Sequence, residues 1–422
     1  MTRNPEVLGR VPRDWLERLG ASGRRDCILG PLSRAPWERQ RLVGPAQREQ
    51  LTGDPGSRSC IHDHDAPIKL YNEPRETPSS KMRAIYLLLA AFVTVASALT
   101  YRAADISSLI VVEDSGVQYS QNGVGMPFED ILVANGMTAA RVRIWTAGQY
   151  NLTYGLAVGK RIKDAGLTLH VDLHYSDTWA DPGHQAIPSG WPTDLSGLNT
   201  QIYEQSVVQA FADQETPIDI LQVGNEINNG LLWPVGEISV NGFDGLSQLL
   251  NSAAHGGLSA GTPKILIHLA NGWDWSDLQY FWEGVFGIQG ALTPSEVDIM
   301  GVSFYPFYGT NATLANLSSS LTNLVNEFGK PVVVAETNWP ASCSGVTLSE
   351  PEIPVSVQGQ EEWTGDIKSV LTSLPNGLGQ GIYYWEPGWI GNAALGSSCS
   401  DNLLVDSSGA VRQSIDIFGD DM

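Results

Sequence analysis

Ile218-Asp219-Ile220-Leu221-Gln222-Val223-Gly224-Asn225-Glu226 is a short aliphatic run, closed by a glycine, that ends on a carboxylate. Pro331-Val332-Val333-Val334-Ala335-Glu336-Thr337 repeats that layout further along the chain. Runs of this length and β-branched content, punctuated by Gly and Pro, read as buried strands. In an eightfold β/α barrel the functional side chains stand at the C-terminal ends of the parallel strands, so both glutamates would point into one cleft.

The same cadence continues around the chain. Strand-like runs fall at residues 104–110, 139–145, 167–173, 218–223, 264–269, 297–304, 331–335 and 381–385, the first being the weakest. Amphipathic stretches at 152–165, 201–213, 244–259, 313–328 and 360–373 lie between them. Alternation of this kind builds βα units around a parallel sheet. The expectation is an α/β fold, a (β/α)8 TIM barrel forming a single catalytic domain over residues 99–422, a length that suits one barrel with insertions.

Beyond each run the residues change character. Arg143 and Trp145 follow the second strand; Asp172, His174 and Tyr175 end the third; Asn225 and Glu226 end the fourth. Asn271, Trp273 and Asp274 follow the fifth, Tyr305 the sixth, Glu336, Asn338 and Trp339 the seventh, and Trp385, Glu386 and Trp389 the eighth. Aromatic faces stack on sugar rings while amides and charges bond hydroxyls, so the loaded ends suggest a carbohydrate cleft. Two carboxylates within it suggest glycoside hydrolysis, one acting as acid/base and the other as nucleophile or base. Plainer readings exist. A strand-end Glu can be an ion-pair or helix-capping partner, Trp145, Trp273 and Trp339 can be packing, and His174 can be structural. Asp172 is expected to pair with Arg143, whose guanidinium would then sit near the nucleophile and keep it ionised.

The N-terminal part does not resemble the rest. Met82-Arg83, an apolar stretch at 84–95 and the small-residue site Ala96-Ser97-Ala98 make residues 82–98 a secretory signal peptide. The stretch is shorter than the roughly 20 residues of a membrane span, so no membrane association and a secreted, extracellular protein are expected. Residues 1–81 are rich in Pro, Gly and Arg without periodicity and read as a disordered or misannotated extension. Translation from Met1 or from Met82 stays open.

Of the 25 Lys and Arg, 14 precede residue 82, whereas only 11 of the 46 Asp and Glu do, leaving a formal charge of −24 beyond it. Nucleic acid is therefore excluded as a partner. Two of the four cysteines, Cys343 and Cys399, lie in the secreted part. A disulfide joining the loops after the seventh and eighth strands is the simplest pairing in an oxidising compartment. Asn151-Leu-Thr, Asn311-Ala-Thr and Asn316-Leu-Ser are glycosylation sequons.

The string Asp172-Leu-His-Tyr-Ser-Asp-Thr-Trp-Ala-Asp-Pro-Gly-His-Gln185, with Val223-Gly-Asn-Glu226 and Val334-Ala-Glu-Thr337, closely resembles glycoside hydrolase family 53, the secreted arabinogalactan endo-β-1,4-galactanases of clan A. The resemblance covers about residues 100–418. It implies a (β/α)8 barrel and cleavage, with retention of configuration, inside β-1,4-galactan chains of type I arabinogalactan. It also implies that Glu226 is the acid/base, Glu336 the nucleophile, and Asn225 the partner of the sugar 2-hydroxyl. Arg143, His174, Tyr305 and Trp385 match positions lining the same subsite, with Asp172 in support. Trp179 and Asp181 lie in the loop of the string, and Asn271, Asp274 and Trp389 complete the candidate substrate contacts. The stretch 341–360 with Cys343 resembles the eukaryotic members, which use a disulfide where bacterial relatives place calcium. No metal and no cofactor are expected, the partner is a polysaccharide, and the protein is expected to be a monomer. Nothing carries over to residues 1–81. Two alternatives stay open: another clan A enzyme sharing the glutamates, such as an endo-mannanase or endo-glucanase, and a non-hydrolytic sugar-binding barrel.

Overall fold

The computed structural model describes residues 98–199, 202–419 and 422. The signal peptide read at 82–98 and the extension read at 1–81 lie outside these residues, Ala98 apart. Eight parallel strands close a barrel: β1 Tyr101–Asp105, β2 Ala139–Ile144, β3 Thr168–Leu173, β4 Ile220–Val223, β5 Lys264–Leu269, β6 Ile299–Ser303, β7 Val332–Thr337 and β8 Gly379–Trp385. Each pairs with its sequence neighbours, and β1 closes the ring against β8, from Tyr101 opposite Gly381 to Asp105 opposite Trp385.

Helices fill the connections as a TIM barrel requires. These are α1 Leu109–Asp114 and α2 Phe128–Ala134 after β1, α3 Leu152–Asp164, α4 Ile202–Asp213, α5 Phe243–Ala260, α6 Trp275–Phe286, α7 Leu314–Phe328 and α8 Val357–Ser373. Caps fall where short polar side chains precede the apolar stripe. Asn151 accepts from the Tyr154 N–H at the start of α3, Asp274 from Ser276 and Asp277 at α6, and Thr313 from Asn316 at α7.

The first strand corrects the expectation. It runs over Tyr101–Asp105, and the apolar stretch from Leu109 is helical, because burial of Leu109 and Val112 follows a helical spacing. Helix α6 was not among the stretches singled out by periodicity, its aromatic content blurring the stripe.

Period-two alternation sorts the strand residues. On β2, Ala140, Val142 and Ile144 join the large apolar layer between barrel and helices, while Ala139 joins a small cluster inside the barrel with Tyr101, Ala103, Ile220, Leu266, Ile299, Val333, Ala335 and Tyr383. Above that cluster the inward side chains turn polar: Asp105, Arg141, Arg143, Asp172, Gln222, His268 and Ser303 are all buried. The C-terminal half of the barrel is thus a charged layer stacked on an apolar plug.

Candidate active site

The strand ends are bent into position. Pairing of β6 with β7 shifts after Val302, so that Ser303 lies opposite Glu336, and pairing of β7 with β8 shifts between Val334 and Thr337. Such irregularities re-aim a side chain at a barrel rim. Left-handed backbone appears at Tyr175, Glu226, Asn271 and Glu386, just past β3, β4, β5 and β8. Non-glycine residues rarely take this conformation, and it concentrates at functional sites. Gly224 (φ 85°) makes the turn that presents Glu226, and a Cβ there would stand 2.7 Å from Ile227 Cγ2.

These ends line a cavity of about 400 Å³. Arg143, His174, Trp179, Asn225, Glu226, Tyr305, Glu336, Trp385 and Trp389 are on its wall, joined by Asp181 and Tyr308. Asp172, Asn271 and Asp274 are not. Asp172 is buried beneath the wall and holds His174, whose Nε2 is 2.9 Å from Asp172 Oδ2. The Asp274 carboxylate is occupied as the cap of α6, and Asn271 makes the left-handed turn after β5.

Arg141 organises the floor. Its Nη1 donates to Asp105 Oδ2 and Glu336 Oε1, its Nη2 to Asp172 Oδ2 and Asn225 Oδ1, all at 2.8 Å, and its Nε to Gln222 Oε1 at 3.1 Å. The expected pairing of Asp172 with Arg143 is therefore corrected. Both arginines face inward, two residues apart on β2, but Arg141 starts one layer lower and reaches up to the level of Glu336. Arg143 is buried on the cavity wall, ion-paired with Glu386, and its guanidinium lies 4.2 Å from the Tyr150 ring and 4.4 Å from Trp179. Arg141 was legible as a basic residue in step with Arg143 on one strand face. Its reach was not.

The two glutamates occupy unlike environments. Glu336 accepts from Arg141 and, at 2.9 Å, from the Tyr305 hydroxyl. Burial raises its pKa, while the Arg141 charge opposes that and favours the carboxylate. Among the described residues Glu226 forms no ion pair, and Ser303 Oγ lies 2.5 Å from its Oε1. Burial first, then the charge of Glu336, push its carboxyl up to about 8. One proton shared between the two belongs on Glu226, which leaves a carboxylate at Glu336 beside a neutral acid. Asp172 is held well below the usual range, because Arg141 and His174 outweigh the effect of burial.

An aromatic wall flanks the pair. Trp179 stacks on Trp389 with centroids 6.1 Å apart and meets Trp385 edge-on at 6.2 Å. Cys343 and Cys399 form the expected disulfide. It ties the loop after β7 to the one after β8, which carries Trp389 as well as Asn392, Leu395 and Gly396 of the cavity wall. Among the sequons, Asn311 and Asn316 are exposed, whereas Asn151 is half-buried with its side chain engaged as a cap. Among the described residues, no group of three or more His, Cys, Asp or Glu is placed to hold a metal ion, and no helix is long and apolar enough to cross a membrane.

The sequence profile of glycosyl hydrolase family 53 matches residues 101–418. The chain belongs to glycosyl hydrolase family 53. It is 49% identical over 351 residues to arabinogalactan endo-beta-1,4-galactanase A of Emericella nidulans, covering 79% of this chain and 98% of that protein. It is 47% identical over 350 residues to the Aspergillus niger protein of the same name, covering 79% and 99%. Among solved structures, a chain described as one of two fungal beta-1,4-galactanases superposes with a TM-score of 0.74 at 42% identity, over 76% of this chain and all of that one. The family 53 catalytic domain of Ignisphaera aggregans superposes with a TM-score of 0.68 at 25% identity, over 76% and 95%.

Proposed function

We propose that this family 53 protein is a secreted, retaining endo-β-1,4-galactanase that cuts galactan chains in type I arabinogalactan. The observation that carries the reading is the asymmetry of the glutamates, Glu336 fixed by a guanidinium and a phenol and Glu226 hydrogen-bonded to a hydroxyl. The names of the Emericella and Aspergillus relatives support the substrate.

In the mechanism we assign, a galactan chain lies across the cavity with sugar faces on Trp179, Trp385 and Trp389. Glu336 attacks the anomeric carbon as Glu226 gives its proton to the leaving oxygen. Glu226 then takes a proton from the water that releases the glycosyl-enzyme. Asn225 presents an N–H to the sugar 2-hydroxyl. Its Oδ1 is tied to Arg141 and one N–H to Ala180 O at 2.9 Å, which leaves its second N–H for the cavity. His174 and Tyr305 complete the subsite.

Residues 82–98 as signal peptide, 99–422 as catalytic domain and the disulfide favour secretion, and Asn311 and Asn316 are the sequons best placed for glycans. The deciding measurement is reducing-sugar release from β-1,4-galactan beside β-1,4-mannan and β-glucan, with Glu336→Gln as control. Products from galactan alone, lost in the control, are expected. Activity on mannan or glucan only would overturn the substrate, and silence on all three would overturn the enzyme.

A further inference from the structure

Behind Glu226 runs a line of buried polar groups, Ser303 and His268, that the mechanism leaves unused and that ends on Asn225. Ser303 Oγ lies 2.5 Å from Glu226 Oε1 and 2.9 Å from His268 Nε2, while His268 Nδ1 lies 2.8 Å from Asn225 Oδ1. His268 and Ser303 are inward residues of β5 and β6, and both are buried.

Hydrogen-bond accounting settles the direction of each contact. The amide of Asn225 is oriented from both ends, its Oδ1 accepting from Arg141 Nη2 and its Nδ2 donating to Ala180 O. His268 Nδ1 therefore faces an acceptor at 2.8 Å and must carry the proton. Gln222 Nε2, 3.1 Å from the same nitrogen, has acceptors of its own for both N–H groups, Gly224 O at 3.1 Å and Asn225 Oδ1 at 3.3 Å. Burial, and then the charge of Arg141, keep the imidazole neutral, against Asp172 and beside His170 and His174. A neutral ring protonated at Nδ1 has a bare lone pair at Nε2. The donor within reach of it is the Ser303 hydroxyl. With that proton committed to His268, Ser303 turns lone pairs toward Glu226, and a hydrogen bond across the 2.5 Å contact requires the proton to sit on Glu226.

We propose that His268, acting through the Ser303 hydroxyl, is a positioning residue that holds Glu226 in its acid form, with Ser303 as a two-position rotor. Before reaction, Glu226 donates to Ser303 and Ser303 to His268. When Glu226 gives its proton to the leaving oxygen, the Ser303 hydroxyl swings from His268 Nε2 to the new carboxylate and keeps its own proton. It swings back when Glu226 recovers a proton from water. No proton passes through the imidazole, and the number of protons on the three groups changes only by the one exchanged at Glu226. The other titratable or charged groups that act on Glu226 are Glu336, Asp181, Arg141, Tyr305 and Tyr308. The proposal rests on the assignment of Glu226 as acid/base.

Two measurements on the full chain test it. In wild-type protein, ¹⁵N chemical shifts of His268 report the tautomer without substrate. The Nδ1–H form below the basic limb of the activity profile is expected, and the Nε2–H form there would overturn the proposal. Then kcat is followed against pH on galactan for His268→Phe, Ser303→Ala and the double variant. Freed from His268, the hydroxyl donates permanently to the carboxylate, so His268→Phe should move the basic limb about one pH unit toward acid, the size of one charge-assisted hydrogen bond. In the Ser303→Ala background the same change should move it not at all. An unmoved or alkaline-shifted limb in His268→Phe, or an equal shift in both backgrounds, would overturn the rotor. A wild-type protein inactive on galactan would instead sink the functional reading, with the tautomer result standing.

Discussion

Arg141 Nη1 donates to Glu336 Oε1 at 2.8 Å, from a strand on the far side of the barrel, while the same guanidinium holds Asp105 and Asp172. One buried cation is shared among three buried carboxylates at the floor of the cavity. Burial would lower its pKa, but Asp172, Glu336 and Asp105 together raise it, so it stays charged at every accessible pH.

Removing that cation should be severe. Arg141→Met leaves three buried carboxylates without their partner, and the expected loss of stability is about 3–5 kcal/mol, the scale for breaking a buried ion pair from one side. Arg141→Lys keeps the charge but not the fork, and its kcat on galactan should fall at least about 100-fold, with a smaller change in KM. Chemical denaturation and steady-state kinetics check both. A Lys variant within a few fold of wild type would refute the anchoring role.

Glu336→Gln should abolish turnover, and Glu226→Gln should lower it greatly while sparing the first, glycosylating step on substrates whose leaving group needs no proton, read as a burst of released phenol. An aryl galactoside with an acidic phenol separates the two variants. Double-digit percentages of normal galactan hydrolysis in either would remove that residue from its role.

Glu226 also predicts a pH dependence of stability. Its folded pKa of about 8 lies above the ordinary carboxylate value, so between about pH 4.5 and 8 the native state holds a proton that the unfolded chain has released. Stability then falls as pH rises through this window, by at most roughly 1.4 kcal/mol per pH unit from this group. Glu226→Gln removes the effect. Its melting temperature should match wild type near pH 4 and exceed it at pH 8, and a constant offset across that range would contradict the assignment. Activity that requires the acid form should decline above about pH 8 for the same reason.

The disulfide closes a span of 56 residues, for which the loop-entropy relation gives about 4 kcal/mol as an upper figure. Cys343→Ser/Cys399→Ser should therefore lower the melting temperature. Because the bridged loop carries Asn392 and Leu395 of the cavity wall, KM on galactan should rise more than kcat falls. An unchanged KM would show the loop to be held by its other contacts, such as Ala341 N–H to Asp401 O at 2.8 Å.

Much of the site was legible because strand-end residues are set by chain order. A carboxylate closing a buried strand of a barrel has one place to go, so Glu226 and Glu336 follow from their position alone. Trp179, Trp385 and Trp389 follow from the string and the eighth strand end. Asp274 shows the limit, since a polar residue past a strand can equally begin the next helix, and this one caps α6.

The sequence by itself determined the barrel, because apolar runs with a buried-strand pattern alternating with amphipathic helices bury themselves in few other ways. It determined the two glutamates for the same reason. Which arginine meets which carboxylate was decided only in the tertiary structure. Arg141 and Arg143 are equivalent by strand parity, and their partners Asp105, Asp172, Glu336 and Glu386 come from four other strand ends. The same holds for Asn225, His268, Ser303 and Glu226, whose contacts cross β4, β5 and β6. Periodicity records which face of a strand a side chain takes. Barrel closure, stagger and the register shift at Ser303 set the height at which it meets the others.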